Sequence, residues 1–322
     1  MAKQPQSCAF RTSIGGQALI EGILMRGPEK QAIVVRDQGG NLVEKVEELR
    51  LIKDRHPILG WPLIRGTVNF LSSMVNGVKA LMYSADFYPE EETTEPSKFE
   101  QWLDRTFSNK KLEGLIVGLS VLLGIGLSIF LFLVLPTFLT GGLLHFFPDF
   151  PMWGRNLIEG VLKVAIFLLY LIFCSKQKDI YRVFQYHGAE HKTIFCYEHG
   201  LPLTVENVRI QPRHHPRCGT SFLFVVIVVS ILLSSVLFSF VEVTNTFARM
   251  GLHLLLLPVI VSLTYELNRV VGRYDNRLTR LVSAPGMWLQ NWTTFEPDDS
   301  MIECAIRSLE LVLPSEKGKD EW

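Results

Sequence analysis

Residues 115–144 read LIVGLSVLLGIGLSIFLFLVLPTFLTGGLL, a run without a single charge. About 20 apolar residues cross a bilayer core, so the run is a spanning helix with length to spare, and Pro136 is expected to kink or end it. Residues 222–240 (FLFVVIVVSILLSSVLFSF) make a second span, and residues 252–267 (LHLLLLPVIVSLTYEL), with Pro258 inside, make a third. Residues 156–175 make a fourth, less pure because Glu159 and Lys163 sit near its start. Those two stand four apart with the acid first, the favourable helical order. They read as a snorkelling pair at the interface rather than as transport charges.

The rest of the composition agrees. Charged residues are 20%, against about 25% in an average soluble domain, and mean hydropathy is +0.22. Positive hydropathy excludes a disordered chain. Lys plus Arg and Asp plus Glu are both 32, and a zero balance lacks the basic excess that gripping nucleic acid requires. Five irregularly spaced cysteines without a CxxC imply no disulfide framework and suit reduced thiols. No apolar run follows the first charges, so no cleavable secretory signal is expected.

Loop charge sets orientation. The connectors 145–155 and 241–251 hold only Arg155 and Arg249, whereas residues 1–111 hold fifteen Lys and Arg and residues 176–221 hold seven. Both termini and the middle loop therefore belong in the cytoplasm. Residues 31–37 and 42–50 flank the turn-rich Gln38-Gly39-Gly40-Asn41 as a hairpin, and residues 14–28 are extended. Residues 58–83 read as an interfacial or re-entrant helix, with a fifth span as the alternative that would upset the even topology, followed by an acidic linker at 89–98. Near the C-terminus Ile302, Ala305, Ile306, Leu309 and Leu313 recur at helical spacing, with Ser300 and Glu303 as a capping box.

The expected fold is thus a mainly α membrane protein. It has about four transmembrane helices with both termini inside, a small N-terminal cytoplasmic β unit and a C-terminal amphipathic helix. The expected divisions are a cytoplasmic β-rich region at 1–57, the interfacial or re-entrant helix plus linker at 58–113, a transmembrane domain at 114–271 containing cytoplasmic loop 176–221, and a cytoplasmic helical tail at 272–322.

The chemistry concentrates in the middle loop. Residues 187–191 read His187-Gly188-Ala189-Glu190-His191, the H-x-x-E-H pattern. On a helix, two histidines four apart share a face and can bind one metal, with Glu190 placed to take a proton from a water that the metal polarises. Five of the chain's eight histidines fall within 187–215. His199, Glu206, His214, His215 and Cys218 are further donors on the same loop. Imidazole and thiolate suit zinc. With His187, His191 and one of His215 or Cys218, a coordination position stays open; with both, the site is closed. Arg217 or Arg26 is the candidate oxyanion stabiliser. Glu266 is expected to pair with Arg269 or Arg273, and Glu21 and Arg26 are further candidates for this face.

Six segments resemble the YqhQ-like membrane protein family, domain of unknown function 1385. They are GGQALIEGILMRGP at 15–28, PLIRG at 62–66, YHGAEHK at 186–192, HPRCGTSF at 215–222, YEL with a following Arg at 265–269, and PGMWLQNWTTFEP at 285–297. The resemblance implies a bacterial protein of the cytoplasmic (inner) membrane with several spans, and a metal-dependent enzyme. It makes His187, Glu190, His191, His215 and Cys218 the natural metal-site candidates, and leaves the substrate open. Three functions follow: a zinc-dependent membrane hydrolase or peptidase with Glu190 and Arg217 catalytic, a non-enzymatic scaffold or regulatory factor with a structural metal, or a small-solute transporter. The spans' scarcity of mid-membrane charge counts against the last. The lipid bilayer and an unknown protein partner or substrate at the cytoplasmic face are the expected partners.

Overall fold

The computed structural model describes residues 9–49, 56–88, 110–147, 150–241, 243, 245–274, 276–316 and 318–321; the acidic segment 89–98 lies outside them. The chain divides into two compact units: Met1–Tyr88, Leu169–Ser230 and Leu257–Trp322 form the first, and Pro89–Leu168 with Ile231–Leu256 the second.

In the first unit, β1 (Gly15–Leu19), β2 (Gly22–Arg26), β3 (Lys30–Arg36) and β4 (Leu42–Glu48) form an antiparallel meander in sequence order. The extended segment expected at 14–28 is itself a hairpin, turning at Ile20-Glu21 with Glu21 at φ 48°. Alternation distributes the strand side chains. Ile23, Met25, Ala32 and Val34 face one core, and Leu24, Ile33 and Val35 face another. Three helices cover these faces. On the first lie α5 (Lys178–Glu198), through Tyr186, Ala189 and Ile194, and α10 (Asp299–Glu310), through Met301, Ile302, Ala305 and Leu309. Burial of each of the larger of these side chains, Ile194, Met301, Ile302 and Leu309, contributes about 1.5–3 kcal/mol. On the second face lies α1 (Arg65–Ala85), through Ala80 and Tyr83. Charged LVEKVEE keeps edge strand β4 exposed.

Helix α10 follows the expected apolar spacing, but its cap differs. Asp298, not Ser300, accepts the Met301 N–H at 3.0 Å, and Ser300 sits inside the first turn and donates to Asp298. The carboxylate outcompetes the hydroxyl two residues on.

Among the described residues, four helices are long and apolar enough to cross a membrane: Gly118–Leu144, Met152–Ser175, Gly219–Phe238 and Thr246–Arg273. Helix α1 is not among them. The first of the four runs from α2 (Lys110–Ile129) into α3 (Leu135–Leu144) without ending at Pro136. A π turn at Phe130–Val134 precedes the proline, with the Leu135 N–H donating to the Phe130 carbonyl. Proline has no N–H for the carbonyl four residues back, and the wider turn absorbs the mismatch. The others are α4 (Met152–Ser175), α7 (Gly219–Phe240) and α8 (Thr246–Arg273), with the short α6 (Val205–Arg209) and α9 (Arg277–Thr293) between and after them.

In the second unit, Glu159 and Lys163 do not snorkel; both are buried. Glu159 accepts from Thr137 Oγ1 at 2.9 Å and lies 3.1 Å from Lys163 Nζ, 2.9 Å from Arg249 Nε and 2.6 Å from His253 Nε2. Arg249, expected in a connector, is instead in α8; it also donates to Asn156 and lies 3.9 Å over the Phe238 ring. The apolar helices therefore carry more ionisable groups than their hydropathy suggests. They meet one another because a buried charge without a partner costs too much.

Candidate metal centre

Helix α5 carries H-x-x-E-H, and its heptad-like face runs His187, Glu190, His191, Ile194, Glu198. Glycine at 188 is required by packing: a Cβ there would stand 2.0 Å from the Phe295 carbonyl oxygen. That approach lets the 293–297 segment run along the helix, where the Phe295 N–H donates to the Phe184 carbonyl at 2.9 Å.

His187, His191 and Cys218 form a cluster that could hold a metal ion, their donor atoms within 4.8 Å of one another. Backbone carbonyls orient both rings. His187 Nδ1 lies 2.7 Å from Thr293 O and His191 Nδ1 lies 2.6 Å from Arg213 O. Each contact requires the proton on Nδ1 and frees Nε2 as the ligand atom, the outer-shell arrangement typical of metal-binding histidines. His187 Nε2 is 3.1 Å from Cys218 Sγ. Cys218 immediately precedes α7, and the Thr220 N–H points at its sulfur from 3.4 Å.

Glu190 is buried on the same wall. Its Oε1 accepts the Gly16 N–H at 2.9 Å, and its Oε2 has no hydrogen-bond partner. Gly16 permits this contact, since a Cβ there would lie 3.0 Å from the Glu190 carboxyl carbon. A cavity of about 440 Å³ opens beside these groups, lined by Gly15, Gly16, His187, Glu190, His191 and Cys218 among others.

His215 and Arg217 lie in the same cavity wall, but His215 is not one of the clustered three. Its ring is 5.5 Å from that of His191, and its Nε2 faces Glu198 Oε2 at 3.7 Å. Arg217 donates to Glu198, which also takes the Thr12 N–H at 2.9 Å. Glu266 pairs with Arg65, bidentate at 2.6 Å for both contacts, rather than with Arg269 or Arg273. Glu21 pairs with Arg182 and takes the Tyr186 hydroxyl at 3.2 Å. His199 meets Gln211 at 2.9 Å. His214 and Glu206 are not in the cluster.

Sequence reasoning missed Glu198 and Gln290. Glu198 was visible as the seventh residue after His191, on the same helical face. Gln290 left no such signal. Its side chain accepts the His215 N–H at 2.7 Å and donates to His215 O at 2.8 Å and Ser221 Oγ at 3.0 Å, clamping the segment that delivers Cys218.

Electrostatics follow from burial and pairing. Burial opposes charge on His187, but the adjacent Cys218 thiolate outweighs it and raises the imidazole to about 9. Burial pushes the Cys218 thiol up, and the His187 and His191 charges pull it down further, leaving it well below the ordinary value. Burial raises the Glu190 carboxyl and drives His215 down to about 4. Without metal, the pairing is expected to favour the thiolate and the imidazolium over the neutral forms. An ordinary cysteine titrates near about 8.5. Metal-free protein is expected to keep the ultraviolet thiolate absorbance below that pH, to lose it on acidification, and to lack it in Cys218→Ser. A normal titration midpoint would contradict the pairing.

The fold and cluster define a class: a helical protein with four membrane-compatible helices and a buried imidazole–thiol site beside a small sheet. Within that class the chain belongs to the YqhQ-like family of proteins of unknown function (DUF1385), whose profile matches residues 61–315. It is similar to "Uncharacterized protein YqhQ" of Bacillus subtilis (strain 168), 33% identical over 316 residues that cover 93% of this chain and 92% of that protein. No solved structure matches.

Proposed function

We propose that the chain is a multi-pass protein of the bacterial cytoplasmic membrane, with both termini inside, and that His187, His191 and Cys218 hold zinc in a hydrolytic site at the cytoplasmic face. One observation carries this: two imidazoles with Nε2 freed by backbone carbonyls converge on a thiol beside a cavity. Nitrogen and sulfur donors favour zinc, and three protein ligands leave a fourth position for water or substrate. Zinc, when bound, supplies Lewis acidity. The remaining work falls to the chain. The Gly16 N–H occupies Glu190 Oε1, so Oε2 is the oxygen left to accept a proton at the cavity wall. Arg217, fixed by Glu198, presents a positive charge to a developing oxyanion. His215 serves as a reserve donor beside His191 rather than a primary ligand.

Glu190→Gln is the decisive variant. It keeps the carbonyl oxygen that Gly16 needs and removes the base. We expect purified Glu190→Gln to retain zinc while hydrolysis of nitrophenyl ester and fluorogenic casein substrates falls by about 10²-fold or more. Wild-type protein that is folded and metal-free would refute the site. Wild type that binds zinc, with no difference between it and Glu190→Gln, would instead favour the scaffold, in which the cluster ties α5 to residues 213–221 and 293.

A further inference from the structure

A second cavity, about 590 Å³ and larger than the first, lies between α1 and the C-terminal part of α8. Four guanidinium groups line it, from Arg26, Arg65, Arg217 and Arg269, and among the described residues no carboxylate does. Glu266 engages Arg65 and Glu198 engages Arg217, while Arg26 is half-buried with no acidic partner among the described residues. The other polar lining is also rich in donors. Asn69 Nδ2 donates to the Tyr265 hydroxyl at 2.9 Å, which leaves that hydroxyl's own proton for another acceptor. Such a cavity lacks one thing, an oxyanion with several acceptor oxygens, and planar guanidinium groups match phosphate geometry.

Leu59, Gly60 and Arg65 line the cavity, and between them in the chain Trp61 and Leu63 are 60% and 58% exposed. Leu63 has φ 67°, a conformation that strains a side-chain-bearing residue, and its backbone is held by Glu266. Two large apolar side chains are thus exposed in the short segment that leads into the cavity-lining Arg65. Segments that carry the family resemblance but supply no donor to the metal cluster, 15–28 through Arg26, 62–66 through Arg65 and 265–269 through Tyr265 and Arg269, converge here.

We infer that this cavity binds the phosphate head group of an anionic membrane lipid, with its acyl chains against Trp61 and Leu63. The exposed apolar pair in the segment leading into the cavity favours a lipid-borne phosphate over a free one. The site rests on the membrane placement proposed above and not on the metal. Arg217 lines both cavities, so the bound head group lies next to the candidate metal centre.

The test uses full-length protein in a neutral detergent and measures, by native mass spectrometry, binding of phosphatidic acid, phosphatidylcholine and inorganic phosphate. Phosphatidic acid is expected to bind about tenfold or more tighter than phosphatidylcholine, and Arg26→Gln with Arg269→Gln to remove about tenfold of that preference. Chelation of metal should leave both results unchanged. Flotation with phosphatidylcholine vesicles checks membrane association separately. Equal binding of the two lipids, or an unchanged preference in a double variant that melts like wild type, overturns the inference. So does displacement by inorganic phosphate at concentrations comparable to the lipid, which would assign the cavity to a soluble ligand. If the double variant does not fold, head-group selectivity of wild type decides alone.

Discussion

Alanine at His187, at His191 or at Cys218 is expected to lower metal content from about one ion per chain to nearly none after dialysis against a weak chelator. A zinc site of this donor type is worth about 10–16 kcal/mol in total, so each of a few ligands accounts for several kcal/mol, or a loss of affinity above about 10²-fold. Elemental analysis of the purified variants reads the outcome directly. His215→Ala is the control, since its Nε2 faces Glu198 and not the other three donors. It should retain the ion with affinity reduced far less. If His215→Ala loses metal as completely as Cys218→Ala, the ligand set includes His215 and the site closes around four donors.

The second large effect lies in the other unit. Glu159→Ala removes the carboxylate that Lys163, Arg249 and His253 share and leaves two buried cations without an opposing charge. Breaking a buried pair costs about 3–5 kcal/mol, and this change orphans more than one partner. Detergent-purified Glu159→Ala should melt on the order of 10 °C lower than wild type. Lys163→Met should be milder, because it removes one cation from a group that holds two cations against one carboxylate. Equal melting of wild type and Glu159→Ala would mean that the polar contacts carry no weight in holding these helices.

The apolar helices were plain in the sequence because hydropathy is a property of composition along one element. The same holds for β3 and β4, bracketed by Asp37–Asn41, and for the apolar stripe of α10. What failed depended on partners far away in the chain. Glu159 looked like an interfacial acid because nothing near it announces Arg249, ninety residues on. Glu266 was matched to nearby arginines, yet its partner is Arg65, 201 residues away. Within the site, H-x-x-E-H declared two histidines by spacing alone, whereas spacing did not say that Cys218 and not His215 joins their cluster, nor that Gln290, 75 residues on, holds the His215 backbone. Ser300 lost the cap of α10 to Asp298 by a local competition that residue types leave nearly balanced.

The His187 contact with Thr293 has a consequence for how the molecule is made. Translation delivers His187 and His191 early, then Arg213 and Cys218, and Thr293, which holds His187, last, after the four apolar helices. A nascent chain halted before Gln290 has the donors but neither the carbonyl that fixes the His187 tautomer nor the clamp on His215. A chain that ends before residue 290 therefore lacks part of the framework that brings the three donors together.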